Sequence, residues 1–143
     1  MTEKPGSEIV LIVEDDFINQ LTIKLFLEKR FGTIITNSSD EVPGILLSNK
    51  VDIILMDISI FGSKNGLELT KELKASNEFC NIPIIAVTAH AFKKDKQNAL
   101  EAGCDNYLVK PFSKGSLLEM IDVLLKGNRR QSKSSSVNSD HQD

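Results

Sequence analysis

Five short apolar runs recur along the chain, each separated from the next by a longer segment whose apolar residues follow helical spacing. The runs predict strands at Ile9–Val13, Thr33–Thr36, Asp52–Met56, Ile82–Val87 and Asn106–Val109. Their apolar character is continuous rather than alternating, which is typical of strands covered on both faces, as in a parallel sheet. The alternation of strand and helix therefore predicts an α/β fold with right-handed crossovers and a five-stranded parallel sheet.

The segments between and after the runs predict helices at Phe17–Lys29, about Asp40–Asn49, Leu67–Ala75, Phe92–Ala102 and Lys114–Lys126. Pro43 falls in the first turn of the second helix, where its missing N–H is tolerated. Gly103 follows the fourth helix and suits a helix C-cap. The polar stretch KKDKQN leaves that fourth helix few apolar residues with which to pack against the core.

The two ends of the chain differ from its middle. Residues 1–7 are polar, and the apolar run that follows has only five residues, too short for a signal peptide or a membrane span. Residues 127–143 contain one aliphatic residue and many serines, which predicts a disordered tail. We therefore expect one domain over residues 8–126, flanked by disordered ends, in a cytoplasmic protein.

The composition is that of an ordinary globular domain. Of the 143 residues, 41% are hydrophobic and 26% are charged, which is sufficient for a buried core. The net charge of −3 gives no basic excess of the kind that attracts nucleic acid, so neither nucleic acid nor membrane is an expected partner. Cys80 and Cys104 are far apart and lack a CxxC pattern, so we expect two buried thiols rather than a disulfide or a metal site.

Polar residues follow four of the predicted strands at their carboxyl ends: Glu14, Asp15, Asp16, Asp57, Thr88 and Lys110. Each has an ordinary explanation on its own, since acidic residues cap helices, Asp begins turns and lysines are usually solvated. Ligands of open parallel sheets, however, bind at the carboxyl ends of the strands. The joint occurrence at one sheet edge therefore predicts a functional site.

The chemistry of these residues favours a divalent cation and a phosphoryl group. Converging carboxylates repel one another unless a cation joins them, and hard oxygen ligands suit Mg²⁺ (or Mn²⁺). Asp15 and Asp57 are the expected direct ligands, Glu14 acts through water, and the backbone carbonyl of Ser59 completes the set. An Asp carboxylate in such a site can attack phosphorus, so Asp57 is the candidate nucleophile. Lys110 would balance the phosphoryl charge and Thr88 would hydrogen-bond a phosphoryl oxygen.

Four motifs carry a family resemblance: LIVEDD (residues 11–16), ILMD (54–57), AVTA (86–89) and NYLVKPF (106–112). In order and separation they resemble the receiver domains of two-component response regulators, over Glu8 to Lys126. The resemblance implies a flavodoxin-like (βα)5 fold with strand order 2-1-3-4-5. It also implies that Glu14 and Asp15 are the metal-binding acids and that Asp57 is the phosphoacceptor. Lys110 would contact the phosphate, and Thr88 and Tyr107 would be the switch residues. Ser59 and His90 would tune the lifetime of the aspartyl phosphate. The bond before Pro111 is expected to be cis.

The loop after Asp57 departs from the family pattern. It reads DISIFGSKNG, with Phe61 where proline often stands and Gly66 one place late, so that the loop is about one residue longer. We expect this loop to be mobile and the carbonyl of Ser59 to bind the metal less firmly as a result.

The resemblance implies a phosphorylation-dependent signalling switch rather than a conventional turnover enzyme. The first helix, beginning at Phe17, is the expected docking site of a histidine kinase or histidine phosphotransfer protein, and the output is an unknown downstream protein. A single-domain response regulator is the leading interpretation, and a receiver domain cut from a hybrid histidine kinase is the alternative. A metal-dependent phosphatase is disfavoured because Ser59 stands where its second acid is needed, and a flavin module because carboxylates replace a phosphate-binding loop.

Overall fold

The sheet has five parallel strands in the order β2-β1-β3-β4-β5 within residues 7–60 and 62–138, the part of the chain that the computed structural model describes. Their bounds are Ile9–Val13 (β1), Gly32–Thr36 (β2), Ile53–Asp57 (β3), Ile84–Thr88 (β4) and Asn106–Val109 (β5). The predicted flavodoxin-like fold is confirmed, and each strand lies within two residues of its predicted bounds.

Helices cover both faces of the sheet, and a 3-10 turn at Ser39–Glu41 precedes the second of them. Their bounds are Phe17–Leu27 (α1), Val42–Ser48 (α2), Gly66–Lys74 (α3), Lys93–Ala102 (α4) and Lys114–Asn138 (α5). The α-helix begins at Val42 rather than near Asp40 because the residues before it form the 3-10 turn, and Pro43 stands in the first α-helical turn, where its missing N–H is tolerated. Gly103 ends α4 in the left-handed conformation, as expected of its C-cap position.

The last helix is longer than predicted. In residues 127–138 the backbone is helical, where the sequence indicated an end at Lys126 and disorder beyond it. A glycine inside a helix costs only about 1 kcal/mol relative to alanine, so Gly127 alone does not end α5. The other segments predicted to be disordered, residues 1–6 and 139–143, lie outside the described residues.

Two apolar layers hold the helices to the sheet. One layer joins Leu11, Ile54 and Ala86 to α2, α3 and α4, and the other joins Ile12, Leu55 and Val87 to α1 and α5. All residues of β1, β3 and β4 are buried, which explains why their apolar character is continuous in the sequence. Cys104 is buried as expected, whereas Cys80 is only partly buried, and both are free thiols. No helix in the described part of the chain has the length and apolar character needed to cross a membrane.

Candidate functional site

The carboxylates of Glu14, Asp15 and Asp57 meet at the carboxyl edge of the sheet, with one ligand oxygen from each within 4.8 Å of the others. Strand β1 ends at Val13 and places Glu14 and Asp15 directly beyond it, while Asp57 is the last residue of β3. Asp57 and Glu14 are 3% and 2% exposed, and Asp15 is partly buried. The sequence prediction that these three carboxylates converge matches the geometry.

Asp16, the third acid of the EDD run, lies apart from this acidic cluster. It caps α1, and its Oδ2 accepts a hydrogen bond from the Asn19 N–H at 2.9 Å. Its own N–H donates to Glu14 Oε2 at 3.0 Å, and the Gln20 side chain donates to the Glu14 carbonyl at 2.6 Å. Helix capping thus accounts for Asp16, and the start of α1 in turn orients Glu14.

Both carboxylate oxygens of Asp57 have hydrogen-bonding partners. Ser59 donates to Oδ1 from its N–H at 3.0 Å and from its hydroxyl at 2.9 Å. The Lys110 ammonium lies 3.4 Å from Oδ2 and 3.0 Å from Glu14 Oε1. The Lys110–Pro111 peptide bond is cis, as expected. Lys110 therefore reaches two buried acids that come from different strands.

The electrostatics of the cluster fit a divalent cation. Burial raises the pKa of the Glu14 carboxyl and the charge of Asp57 raises it further, against hydrogen bonds from Asp16 and Lys110 that lower it. Burial lowers the pKa of the Lys110 ammonium, but the hydrogen bond to Glu14 and the charges of Asp57 and Glu14 outweigh it, so this pKa is raised. Three carboxylates face one ammonium in the described site, and the excess negative charge on hard oxygens is what Mg²⁺ or a similar ion binds.

Thr88, His90 and Tyr107 form a hydrogen-bonded series that leads away from the cluster. Thr88 is buried at the end of β4, one residue beyond Val87, which pairs with Asp57. Its hydroxyl oxygen accepts the His90 N–H at 3.1 Å, and the His90 carbonyl accepts a hydrogen bond from the Tyr107 hydroxyl. The His90 ring stacks on Phe92, with the ring centroids 6.4 Å apart. The role of the His90 backbone as a link has no signal in the sequence motifs.

The loop after Asp57 makes contacts that the sequence did not predict. Ser63 donates to the Asp40 carboxylate and Ser39 donates to the Lys64 carbonyl, so the loop is joined to the segment before α2. A Cβ on Gly66 would lie 2.6 Å from the Asp57 carbonyl oxygen, which explains why glycine stands at that place. Phe61 lies outside the described residues, and the mobility of this loop stays a prediction.

Apolar side chains are exposed beside the site. Phe17 and Ile18 on the first turn of α1 are 69% and 65% exposed, and Leu21 and Leu25 extend the same surface. A groove of about 400 Å³ runs next to them, lined by Thr22, Ile23, Phe26, Lys110, Pro111 and Phe112. Exposed apolar residues next to a groove are typical of protein-binding surfaces.

Comparisons with known proteins agree with this geometry. A family model for the response regulator receiver domain matches residues 10–122. The polar-differentiation response regulator DivK of Brucella anthropi is 40% identical over 120 residues, which is 81% of this chain and 94% of DivK, and DivK of Brucella ovis is equally similar.

Solved structures of receiver domains have the same fold. The receiver domain of a sensor histidine kinase from Pseudomonas aeruginosa, with a magnesium ion coordinated in its active site cleft, is 29% identical with a TM-score of 0.77. The match covers 85% of this chain and 99% of that one. A CheY-like receiver domain protein from Methanospirillum hungatei is 25% identical with a TM-score of 0.79, over 88% of this chain and 99% of that one.

Proposed function

The chain belongs to the response regulator receiver domain family, and from this premise we propose that Asp57 is the phosphoacceptor of its signalling switch. Receiver domains take phosphoryl groups from histidine kinases and act on downstream targets. The observation that carries the assignment is the setting of Asp57: a buried carboxylate, hydrogen-bonded by Ser59, beside Lys110 and two further acids.

In the proposed reaction a carboxylate oxygen of Asp57 attacks the phosphorus of a phosphohistidine. A P–O bond forms, the P–N bond breaks, and the electron pair of that bond returns to the imidazole nitrogen. Lys110, held between Glu14 and Asp57, is placed to neutralise charge on the phosphoryl oxygens. Mg²⁺ (or Mn²⁺), held by Asp15, Asp57 and the Ser59 carbonyl with Glu14 acting through water, would supply further neutralisation of that charge when bound.

Thr88 is suited to sense the phosphoryl group. A hydroxyl has one proton and two lone pairs, so Thr88 can accept the His90 N–H and donate its proton to a phosphoryl oxygen at the same time. Movement of Thr88 toward the phosphoryl group would pull on the His90 backbone and, through it, on Tyr107. Ser59 and His90 would also modulate hydrolysis, and a changed phosphoryl half-life in His90→Ala is the corresponding test.

Helix α4 is the proposed responding element. Among its residues Lys93–Ala102, all of them described, Ala99 and Ala102 are the buried ones, so small side chains anchor it. Phe92, immediately before the helix, is 70% exposed. A thinly anchored helix can shift at low cost, and the surface that moves with it would bind the downstream protein.

The partners of the switch follow from its surfaces. The apolar start of α1 and the groove beside Phe112 would receive a histidine kinase or histidine phosphotransfer protein, while neither nucleic acid nor a membrane is a proposed partner. The match to DivK over 94% of its length supports a single-domain regulator over a receiver domain of a hybrid kinase. We place the protein in the cytoplasm, and we propose that it is not a conventional turnover enzyme.

Incubation with Mg²⁺ and acetyl phosphate, followed by intact mass measurement, tests the proposal. The expected result is one phosphoryl adduct, lost in Asp57→Asn and retained in Asp122→Asn, whose carboxylate pairs with Arg30 rather than with the acidic cluster. No adduct in the parent protein would overturn the assignment. Repeated turnover of phosphoester substrates would instead favour a phosphatase.

A further inference from the structure

The β3–α3 loop, described at residues 58–60 and 62–65, is joined through Ser63 and Lys64 to the 3-10 turn at Ser39–Glu41. Ser63 donates to Asp40 from its N–H, 3.1 Å from Oδ1, and from its hydroxyl. Ser39, itself buried, donates from its hydroxyl to the Lys64 carbonyl at 2.7 Å. These contacts join parts of the chain that are more than twenty residues apart.

Two glycines let this loop approach other parts of the molecule closely. Gly62 has φ +141°, and a Cβ there would lie 2.1 Å from the Ser39 hydroxyl oxygen. Just beyond the loop, at the first residue of α3, a Cβ on Gly66 would lie 2.6 Å from the Asp57 carbonyl oxygen. The loop is therefore packed against the 3-10 turn at one point and against the backbone of Asp57 at the other.

The same loop carries Ser59, which hydrogen-bonds Asp57 Oδ1 through its N–H and hydroxyl. Its backbone carbonyl is also a proposed ligand of the cation. Extra loop length adds conformations that must be excluded when the loop is ordered. The hydrogen bonds from Ser39 and to Asp40 offset this loss of conformational entropy at the end of the loop that is farther from Ser59.

We propose that Asp40 is a positioning residue for the metal site: by holding Ser63, with Ser39 holding Lys64, it fixes the β3–α3 loop so that Ser59 keeps its place beside Asp57. The inference rests on the proposed function of Asp57. It assigns a role in the switch to a turn that precedes α2 and has no direct contact with the acidic cluster among the contacts described above.

The negative charge of the Asp40 carboxylate, which accepts these hydrogen bonds, supports this role. Hydrogen bonds from the Ser63 hydroxyl and N–H lower the pKa of the Asp40 carboxyl, so Asp40 is ionised at neutral pH. Hydrogen bonds to an ionised acceptor are stronger than those between neutral groups. A neutral acceptor at position 40 would keep weaker hydrogen bonds to Ser63, and a methyl group would keep none of them.

The test measures the Kd for Mg²⁺ of the unphosphorylated protein by calorimetric titration in Asp40→Ala, Asp40→Asn and Ser63→Ala. Asp40→Ala is expected to raise the Kd by roughly threefold to tenfold, the effect of losing about one net hydrogen bond. Asp40→Asn removes the same charge but keeps an acceptor oxygen, so it should recover part of the affinity that Asp40→Ala loses. Ser63→Ala keeps the N–H donor and should fall between them.

The control is Asp122→Asn, which removes one partly exposed acid that pairs with Arg30 rather than with the acidic cluster, and it should leave the Kd unchanged. At saturating Mg²⁺, the rate of phosphorylation of Asp40→Ala by acetyl phosphate should return to within about twofold of the parent rate. A purely structural role of Asp40 would lower the melting temperature without changing the Kd.

Three results would overturn the proposal: an unchanged Kd in folded Asp40→Ala, equal Kd values in the Asn and Ala variants, or a rate that does not recover at saturating Mg²⁺. Equal Kd values in Asp40→Asn and Asp40→Ala would mean that only the charge of Asp40, and not its hydrogen bonds to Ser63, affects Mg²⁺ binding. Failure of the proposed function is distinguishable, because the parent protein itself would then bind Mg²⁺ without gaining a phosphoryl group.

Discussion

The ammonium nitrogen of Lys110 lies 3.0 Å from a carboxylate oxygen of Glu14, although the two residues are 96 positions apart in the chain. Glu14 is almost fully buried, and Lys110 is its cationic partner as well as a neighbour of Asp57. A buried charge that loses its partner is costly. The lysine therefore stabilises the site before any phosphoryl group arrives.

Replacing Lys110 with Met should separate metal binding from phosphorylation. Removal of a positive charge beside the acidic cluster should tighten Mg²⁺ binding by roughly threefold to tenfold, as expected from about 1 kcal/mol of lost repulsion. Phosphorylation by acetyl phosphate should nevertheless slow, because the phosphoryl oxygens lose their cationic neighbour. Calorimetry and intact mass measure the two effects. Lys96→Met on the exposed side of α4 is the control, and a parallel fall in both quantities would contradict the prediction.

The raised pKa of Glu14 predicts a pH dependence of stability without metal. A carboxyl whose pKa is higher in the folded than in the unfolded state contributes stability at low pH and loses it as pH rises through the folded pKa. The melting temperature of Glu14→Gln relative to the parent should therefore increase from pH 4.5 to pH 7.5, by about 2–5 °C for each kcal/mol involved. Scanning calorimetry in EDTA measures it, and a constant difference across this range would count against the assignment.

Tyr107→Phe removes the hydroxyl that donates to the His90 carbonyl. Phosphorylation of Asp57 should proceed within about twofold of the parent rate, because the hydroxyl takes no part in the transfer. The phosphorylation-dependent NMR shifts of the amides of His90 and Phe92 should shrink. Thr88→Ala, which removes the hydroxyl oxygen that accepts the His90 N–H, should shrink them as well. NMR shifts as large as those of the parent protein in both variants would show that the hydrogen bonds from Thr88 through His90 to Tyr107 do not transmit the change.

The two cysteines should differ in reactivity. Burial raises the pKa of the Cys104 thiol to about 11, so it is protonated at pH 8, whereas Cys80 is only partly buried. We expect iodoacetamide to modify one thiol in the native protein at pH 8 and two after unfolding, as counted by intact mass. Cys80→Ala should leave the native protein unmodified, and rapid modification of that variant would show that Cys104 is accessible.

Two glycines should respond oppositely to alanine. Gly66→Ala would place a Cβ against the Asp57 carbonyl and the Ile58 Cα, each 2.6 Å away, and should cost about 1–3 kcal/mol of unfolding free energy. Gly44→Ala meets no atom within 4 Å inside α2 and should gain about 0.5–1 kcal/mol. Urea unfolding measures both. Similar effects at the two positions would mean that the close approach at Gly66 is relieved by movement of the loop.

The sequence predicted the sheet and the acidic cluster because both depend on strand periodicity. The continuous apolar run Ile9–Val13 is a strand with the same bounds in the structure, and the polar residues at or just after the ends of four strands lie at the common edge. The hydrogen bond from Ser63 to Asp40 had no such signal, since a short 3-10 turn and a loop come together there and their proximity depends on the packing of α2 and α3. The helical backbone beyond Gly127 has no signal in the sequence, because a polar, serine-rich composition favours disorder and does not show that α5 continues through it.

The weak anchoring of α4 by Ala99 and Ala102 has a consequence for the evolution of such a protein. Residues on the outward side of this helix contribute little to folding, so mutations there can accumulate almost without penalty to the sheet or to Asp57. The proposed recognition surface on α4 can therefore diverge toward new binding proteins while the acidic cluster around Asp57 is inherited unchanged.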